Sequence, residues 1–458
     1  MLCEALEIVE GEQDIGLFLS AEGRPLLKVP HGLDCSGLSP TAVFSLLYRM
    51  FAVFRRTGHG ERIMAARDGV ERHGKGGAQA AGKGAGFVDM LAFDELFDEV
   101  DPRSIVSLHA HPGMTSAQDV QRLDRHLSRA LFDEGDIPYL DRVPGMRRTM
   151  GLGKQAIVGL YCFLARDFYQ HLLQVDLQCA WGSFFRDGIA LAEDFQHRYL
   201  ATDDSLYLGD AEQIKHCRER LSHLLWRIDR QATPRDATYC RLHDALARYL
   251  QGASSVEQAP GLVWGVQGFW AVWESMCLCH ALAENADTTI HNCDFEHLPR
   301  GVCGPRDMAR WQGAQRLVFS RNHLHRRPDL VVNAGERWRV VDFKYYPQPL
   351  WQRPKEKEDE PPTKEERDFT NLEIYALLLR CHLSATASGE PPIALEMWLP
   401  GRAFEVHALQ ATPAWDPPLS VHLLQTSVLL ERYASLYQSM ALRSEGAVFN
   451  RRSPAPVP

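Results

Sequence analysis

His325-Arg326-Arg327-Pro328-Asp329-Leu330-Val331-Val332-Asn333-Ala334-Gly335-Glu336-Arg337-Trp338-Arg339-Val340-Val341-Asp342-Phe343-Lys344-Tyr345-Tyr346 reads as a strand, a tight turn and a second strand. Asp329 opens the first strand, and the triplet Asp342-Phe343-Lys344 closes the second. A turn at Ala334-Gly335, flanked by Asn333 and Glu336, sets Asp329 opposite Val340. Side chains alternate faces along a strand, so Asp342 and Lys344 share a face with Val340 and hence with Asp329. Cross-strand diagonals span ~7–8 Å, which lets two carboxylates converge on one point. Phe343 points to the opposite face, while its carbonyl can still turn toward the acids.

That arrangement has a definite chemistry. Two carboxylates and a carbonyl, completed by water, suit a hard ion, Mg²⁺ or Mn²⁺. Such an ion beside a phosphodiester activates water and offsets charge on the phosphate. Lys344 is placed to orient or deprotonate the water and to stabilise the charge-rich transition state. Glu274, on a preceding Trp- and Leu-rich helix, offers a further carboxylate, and Arg326 and Arg327 offer contacts to a phosphate backbone.

The surroundings carry a matching charge. The whole chain has 458 residues and a formal net charge of −9, so it is not a basic nucleic-acid binder overall. From Pro305 to Gln352, however, nine Lys and Arg face four acids, a local excess of +5. Apolar content of 45% and charged content of 24% are those of an ordinary globular protein, long enough for two or three domains. No window approaches ~18 uncharged apolar residues, so no membrane span or membrane partner is expected. The N-terminus lacks the basic start and apolar run of a signal peptide, and an odd count of 11 scattered cysteines points to free thiols; both fit a cytoplasmic location.

Outward from the hairpin, the composition divides the chain. The first 35 residues make a small β-rich start, and Ser39-Pro40 caps a helix running to about Arg56. Residues of about 57–86, rich in Gly, Ala, His and Lys, read as a mobile linker. Their Gly77–Gly84 run approaches a phosphate-binding loop but lacks the metal-holding hydroxyl and the preceding strand. Helical text fills most of the way to a break at Gly252-Ala253-Ser254-Ser255. A helix from Val263 to Ala283, the hairpin, a charged lid-like run over 353–367, a helix from Asp368 to Leu383 and a strand from Ile393 to Leu399 follow. The expected domains are 1–255, a mostly helical recognition or assembly region, and 256–450, with a disordered tail at 451–458. Cys277, Cys279, His280, His291, Cys293, His297 and Cys303 cluster, but Cys277-Leu278-Cys279 has the wrong spacing for structural zinc.

Pro328-Asp329…Asp342-Phe343-Lys344 resembles the PD-(D/E)XK nuclease superfamily. Glu274 sits where that superfamily often places another acid, and Asn371-Leu372-Glu373-Ile374-Tyr375 is similar to its Gln-x-x-x-Tyr helix, with Asn in place of Gln. With a large helical N-terminal region, the whole looks most like the LlaJI/McrC group of restriction-system nucleases. The resemblance covers about Gly261 to Pro400. It implies an α/β (α+β) restriction-endonuclease-like domain with a central mixed sheet flanked by helices. It further implies a Mg²⁺-dependent DNA endonuclease of an anti-phage defence system, working with an AAA+ GTPase or ATPase partner. Asp329, Asp342, the Phe343 carbonyl and Glu274 would hold the metal, Lys344 would complete the catalytic set, and Arg326, Arg327, Asn371 and Tyr375 would touch nucleic acid. The rival readings are a non-catalytic nucleic-acid-binding or assembly module on the same fold, and an RNA-cleaving or DNA-repair nuclease.

Overall fold

A computed structural model describes residues 6–60 (except 23 and 59), 86–89, 96, 131–132, 138–139, 152–173, 185–232, 237–251, 261–284, 289–293, 297–299, 317–319, 328–334, 337–346, 364–386, 392–409 and 419–449. The chain is of mixed α and β type and forms two compact units. One spans Leu91–Ser255, the other Leu2–Met90 together with Val256–Pro458. One edge of the smaller unit falls at Ser255, beside the compositional break. The grouping of residues 1–255 as one region is corrected, because the first ninety residues fold with the C-terminal part. The expected linker at 57–86 lies almost wholly outside the described residues, and the tail at 451–458 lies outside them.

The larger unit opens with β1 (Glu7–Glu10), β2 (Ile15–Leu19) and β3 (Pro25–Val29), then α1 (Pro40–Arg55) and β4 (Gly86–Asp89). Ser39 caps α1 by accepting from the Ala42 N–H at 3.1 Å, with Pro40 in the first turn where its missing donor is harmless. Apolar residues at helical spacing bury α1 from Val43 to Phe54. Phe44, Tyr48 and Phe51 close around Trp264 at ring-centroid distances of 4.7, 6.1 and 5.3 Å. Each such fully buried aromatic contributes about 1.5–3 kcal/mol.

Among its described residues the smaller unit holds a two-stranded ribbon, β5 (Leu131–Phe132) and β6 (Pro138–Tyr139), and four helices: α2 (Leu152–Asp167), α3 (Phe185–Tyr199), α4 (Ala211–Gln231) and α5 (Ala237–Gln251). A π-helical turn, Phe168–Leu172, extends α2. Its entry is fixed by buried Asp167, which accepts from Ser205 Oγ at 2.6 Å and the Leu206 N–H at 2.7 Å, and bonds His171 Nδ1 at 2.7 Å. Asp210 and Gln213 form a reciprocal capping box at the start of α4.

The larger unit resumes with β7 (Gly261–Gln267) and α6 (Trp270–Glu284). The helix expected from Val263 thus begins seven residues later. The physical reason is close sheet pairing: β7 runs antiparallel to β2 and β4, and Gly265 lies against Gly16. Both glycines have positive φ (138° and 137°), and a Cβ on either would collide with the other strand's backbone. Strand order in this sheet is β1-β3-β2-β7-β4.

Then come β8 (Thr289–Cys293), β9 (Leu330–Ala334), β10 (Arg337–Phe343), α7 (Lys364–Thr386), β11 (Ile393–Gly401), β12 (Glu405–Ala408), β13 (Leu419–Gln425) and α8 (Thr426–Phe449). α7 starts inside the charged run that read as lid-like. The six strands form a mixed sheet in the order β12-β13-β11-β10-β9-β8, with β10, β11 and β13 mutually parallel and the other pairings antiparallel. One sheet face packs Trp338, Val340, Leu395 and Met397 against Leu372, Ala376 and Leu379 of α7. On the other face Tyr345 lies 5.0 Å from the Phe269 ring and 6.1 Å from Trp273, beside α6.

Candidate active site

The predicted hairpin forms, with its register moved by two residues. Ala334 pairs with Arg337, Val331 with Val340 and Leu330 with Val341, so the next pair outward would set Asp329 beside Asp342 rather than opposite Val340. A shift of two keeps parity, so the acids still share a face. The new register brings them closer than the diagonal that was expected.

The side chains meet accordingly. Asp329 Oδ2 accepts the Phe343 N–H at 2.6 Å, which ties the loop before β9 to the end of β10. Its carboxyl faces that of Asp342, near enough for the negative charge of Asp342 to act on it. Lys344 Nζ lies 2.7 Å from Asp342 Oδ2 and donates to the Phe343 carbonyl at 3.3 Å. Phe343 itself turns away, 1% exposed, with its ring 5.4 Å from Trp398. The Lys344 N–H continues the ladder to the Trp398 carbonyl, at 3.0 Å, so the ammonium is anchored at its root.

Electrostatics make this corner unusual. Asp342 is only 5% exposed, and carboxylates are seldom buried so completely without a strong reason. Burial pushes the Asp329 carboxyl well above the usual range, and the neighbouring Asp342 adds to it, while Lys344 opposes both. Asp342 is raised as well, by burial, with Lys344 as the main counterweight. Burial alone would depress the Lys344 ammonium, but Asp329 and Asp342 outweigh it and hold the proton firmly. Glu274 joins from α6: its Oε2 is 3.1 Å from His297 Nε2, and its charge is felt at Asp329.

Three further residues complete the surroundings. Asp368, on the first turns of α7, adds negative charge near Asp342 and Lys344, and Tyr346 Oη donates to it. Tyr346 carried a readable signal, since 342, 344 and 346 share strand parity. Asp368 sits one helical turn before Asn371, but only the docking of α7 on the sheet shows which acid of that charged run is used. His297 was weighed only for zinc; its place beside Glu274 depends on a contact across 23 positions. The described members of the Cys/His cluster diverge, with Cys277 buried and His280 accepting from Arg432 at 2.9 Å.

The nucleic-acid candidates fare unevenly. Arg326 and Arg327 lie outside the described residues. Asn371 is exposed on α7. Tyr375 is half-buried, with its ring 6.0 Å from Phe319 at 85°, packed against the sheet core. Packing accounts for that side chain without a ligand. Glu396, the other buried acid of this sheet, pairs with Val341 and so faces away from Asp342. It is met by Trp398 Nε1 at 3.0 Å and Arg339 at 3.5 Å, as a structural acid should be.

No family model and no curated protein matches the chain. The donor set must therefore be judged on its own chemistry. Among the described residues no group of three or more His, Cys, Asp and Glu side chains gathers as a metal site. Two hard carboxylates do converge, and the Lys344 ammonium touches Asp342 and the Phe343 carbonyl, two of the oxygens assigned to a cation from sequence. Magnesium commonly takes one or two carboxylates and keeps several waters, so this set fits it. It does not fit a site enclosed by protein side chains alone.

Proposed function

We propose that this chain is a Mg²⁺-dependent DNA endonuclease with a restriction-endonuclease-like domain of the PD-(D/E)XK kind. The observation that supports the reading best is the corner itself: Asp329, bonded to the Phe343 N–H, beside buried Asp342 on the neighbouring strand, with the Lys344 ammonium 2.7 Å from Asp342. Buried carboxyls held next to a lysine are an arrangement that catalytic sites use.

In this reading Asp329 and Asp342 would hold the ion, with the Phe343 carbonyl beside them and Glu274, steadied by His297, supplying further negative charge. When bound, the ion offsets charge on the phosphate and makes water a better nucleophile. Lys344 orients the attacking water and stabilises the oxygens of the transition state as charge builds on them. Asp329 and Asp342 hold its ammonium protonated, and a cation that offset their charge would make it easier to deprotonate. Asp368 and Tyr346 fix the far side of this lysine's field.

The assignment to the LlaJI/McrC group, to anti-phage defence and to an AAA+ GTPase or ATPase partner rests on the sequence resemblance. Asp342→Ala or Lys344→Ala should abolish Mg²⁺-dependent cleavage of duplex DNA while leaving the circular dichroism spectrum unchanged. Cutting at the wild-type rate by either variant ends the proposal. Cleavage restricted to RNA would move it to the rival nuclease reading. The assay is best run with and without GTP or ATP and with any protein that co-purifies.

A further inference from the structure

We propose that the outer face of α4 is a nucleic-acid contact surface that takes the phosphates of duplex DNA. α4 buries Cys217, Leu221, Leu224, Leu225 and Ile228 in its unit. His223, Trp226, Arg227 and Arg230 stand at i, i+3, i+4 and i+7, the spacing of one helix face, and all four are exposed. Trp226 is 54% exposed, an expensive place for the largest side chain. The Arg230 guanidinium lies 4.8 Å over its ring, and the His223 ring sits 5.8 Å away, tilted by 31°.

This trio is an organised surface. Stacking on an indole fixes a guanidinium without consuming its charge, and its in-plane N–H fork stays available for phosphate oxygens. Arg227 adds a second cation beside it. The acid of this face is exposed Glu219, one turn before His223 and away from the Trp226–Arg230 end; from Arg220 to Gln231 the one acid is Asp229, half-buried and facing the Tyr239 hydroxyl at 3.5 Å. Arginines also suit a helix C-terminus through the backbone dipole, but that effect asks for no exposed tryptophan. With a net charge of −9, the chain needs such a local patch if a polyanion is to approach it. The choice of duplex DNA as occupant rests on the nuclease reading; the basic and aromatic face does not.

The test uses the full chain carrying Lys344→Ala, so that binding is measured without cutting. A fluorescent duplex is titrated by anisotropy at several salt concentrations. Arg227→Glu/Arg230→Glu should weaken binding at least tenfold, and should flatten log K against log salt by about 2, at ~0.9 per lost phosphate contact. The milder Arg227→Ala/Arg230→Ala should show the same flattening. Trp226→Ala should weaken binding several-fold, while Trp226→Phe, which keeps a π face under Arg230, should retain most of it. Unchanged affinity and salt slope in the folded variants would overturn the proposal. So would an absence of DNA binding by the parent chain, or a loss confined to an acidic polypeptide such as polyglutamate. A chain that binds DNA through α4 but never cuts would sink the nuclease reading alone. One that cuts normally with α4 neutralised would sink this one alone.

Discussion

Lys344→Met is the perturbation that probes the candidate site most directly. Methionine keeps much of the stem's volume and removes the charge. Asp329 and Asp342 would then share a buried corner without the ammonium that opposes their burial. Removing one partner of a buried ion pair costs about 3–5 kcal/mol. At ~2–3 °C per kcal/mol for a unit of this size, the melting temperature at pH 7.5 should fall by roughly 6–15 °C. The pH dependence fixes the sign. Both carboxyls are raised above their unfolded values, so the folded state holds the extra proton. The stability from that proton is fully present below the unfolded carboxylate value of about 4, and is lost as pH rises through the folded values. The deficit of the variant should therefore shrink steadily on acidification from pH 7.5 toward 5. Thermal melts in metal-free buffer across that range are the assay. A fall of less than about 2 °C at pH 7.5, or a larger fall that does not change with pH, would refute the reasoning that Lys344 offsets two buried acids.

Asp329→Asn should act oppositely: the amide oxygen can still accept the Phe343 N–H while the charge is gone, so the metal-free protein should melt higher. The same variant should lose the Mg²⁺-induced rise in melting temperature that the wild type shows, and an equal rise in both would remove Asp329 from the ion-holding set. Gly265→Ala should cost more than ~3 kcal/mol, because a Cβ there meets the Ile15 carbonyl at a backbone angle closed to alanine; a soluble variant with a wild-type melt would contradict the β2–β7 contact. Asp167→Ala should destabilise the helical unit by roughly 2–4 kcal/mol, since the Leu206 N–H and the Ser205 hydroxyl lose their acceptor, and limited proteolysis should report the loosening at 201–210.

Much of the site was legible because its logic is local. Strand alternation binds Asp342 to Lys344 whatever the turn does, and even a register wrong by two residues leaves Asp329 on their face. Helix α1 was legible for the same reason, from Ser39-Pro40 and its apolar spacing. What could not be read depends on distant pairing. Val263 to Gln267 has the apolar content of a helix and becomes a strand because Gly265 meets Gly16, some 250 residues away. Glu274 was readable as an acid on a helix, whereas His297 beside it and Asp368 across the lysine emerge only when α6 and α7 dock. The first ninety residues show no local sign of their C-terminal partners. The bond from the His31 N–H to the Tyr345 hydroxyl, at 2.8 Å, is one of the links that make them a single unit.

That same division has a consequence for synthesis. β2 is complete at residue 19, and its neighbour β7 begins at residue 261. At ~5–20 residues per second the ribosome needs on the order of 12–50 s to supply that neighbour. Through this interval one edge of the nascent β1-β3-β2 ribbon stays open to any other strand. The helical unit, whose own contacts are nearer in sequence, can fold during the wait. Slowing elongation late in the message should therefore favour misassembly, and truncated chains ending before Gly261 should aggregate unless a chaperone holds them.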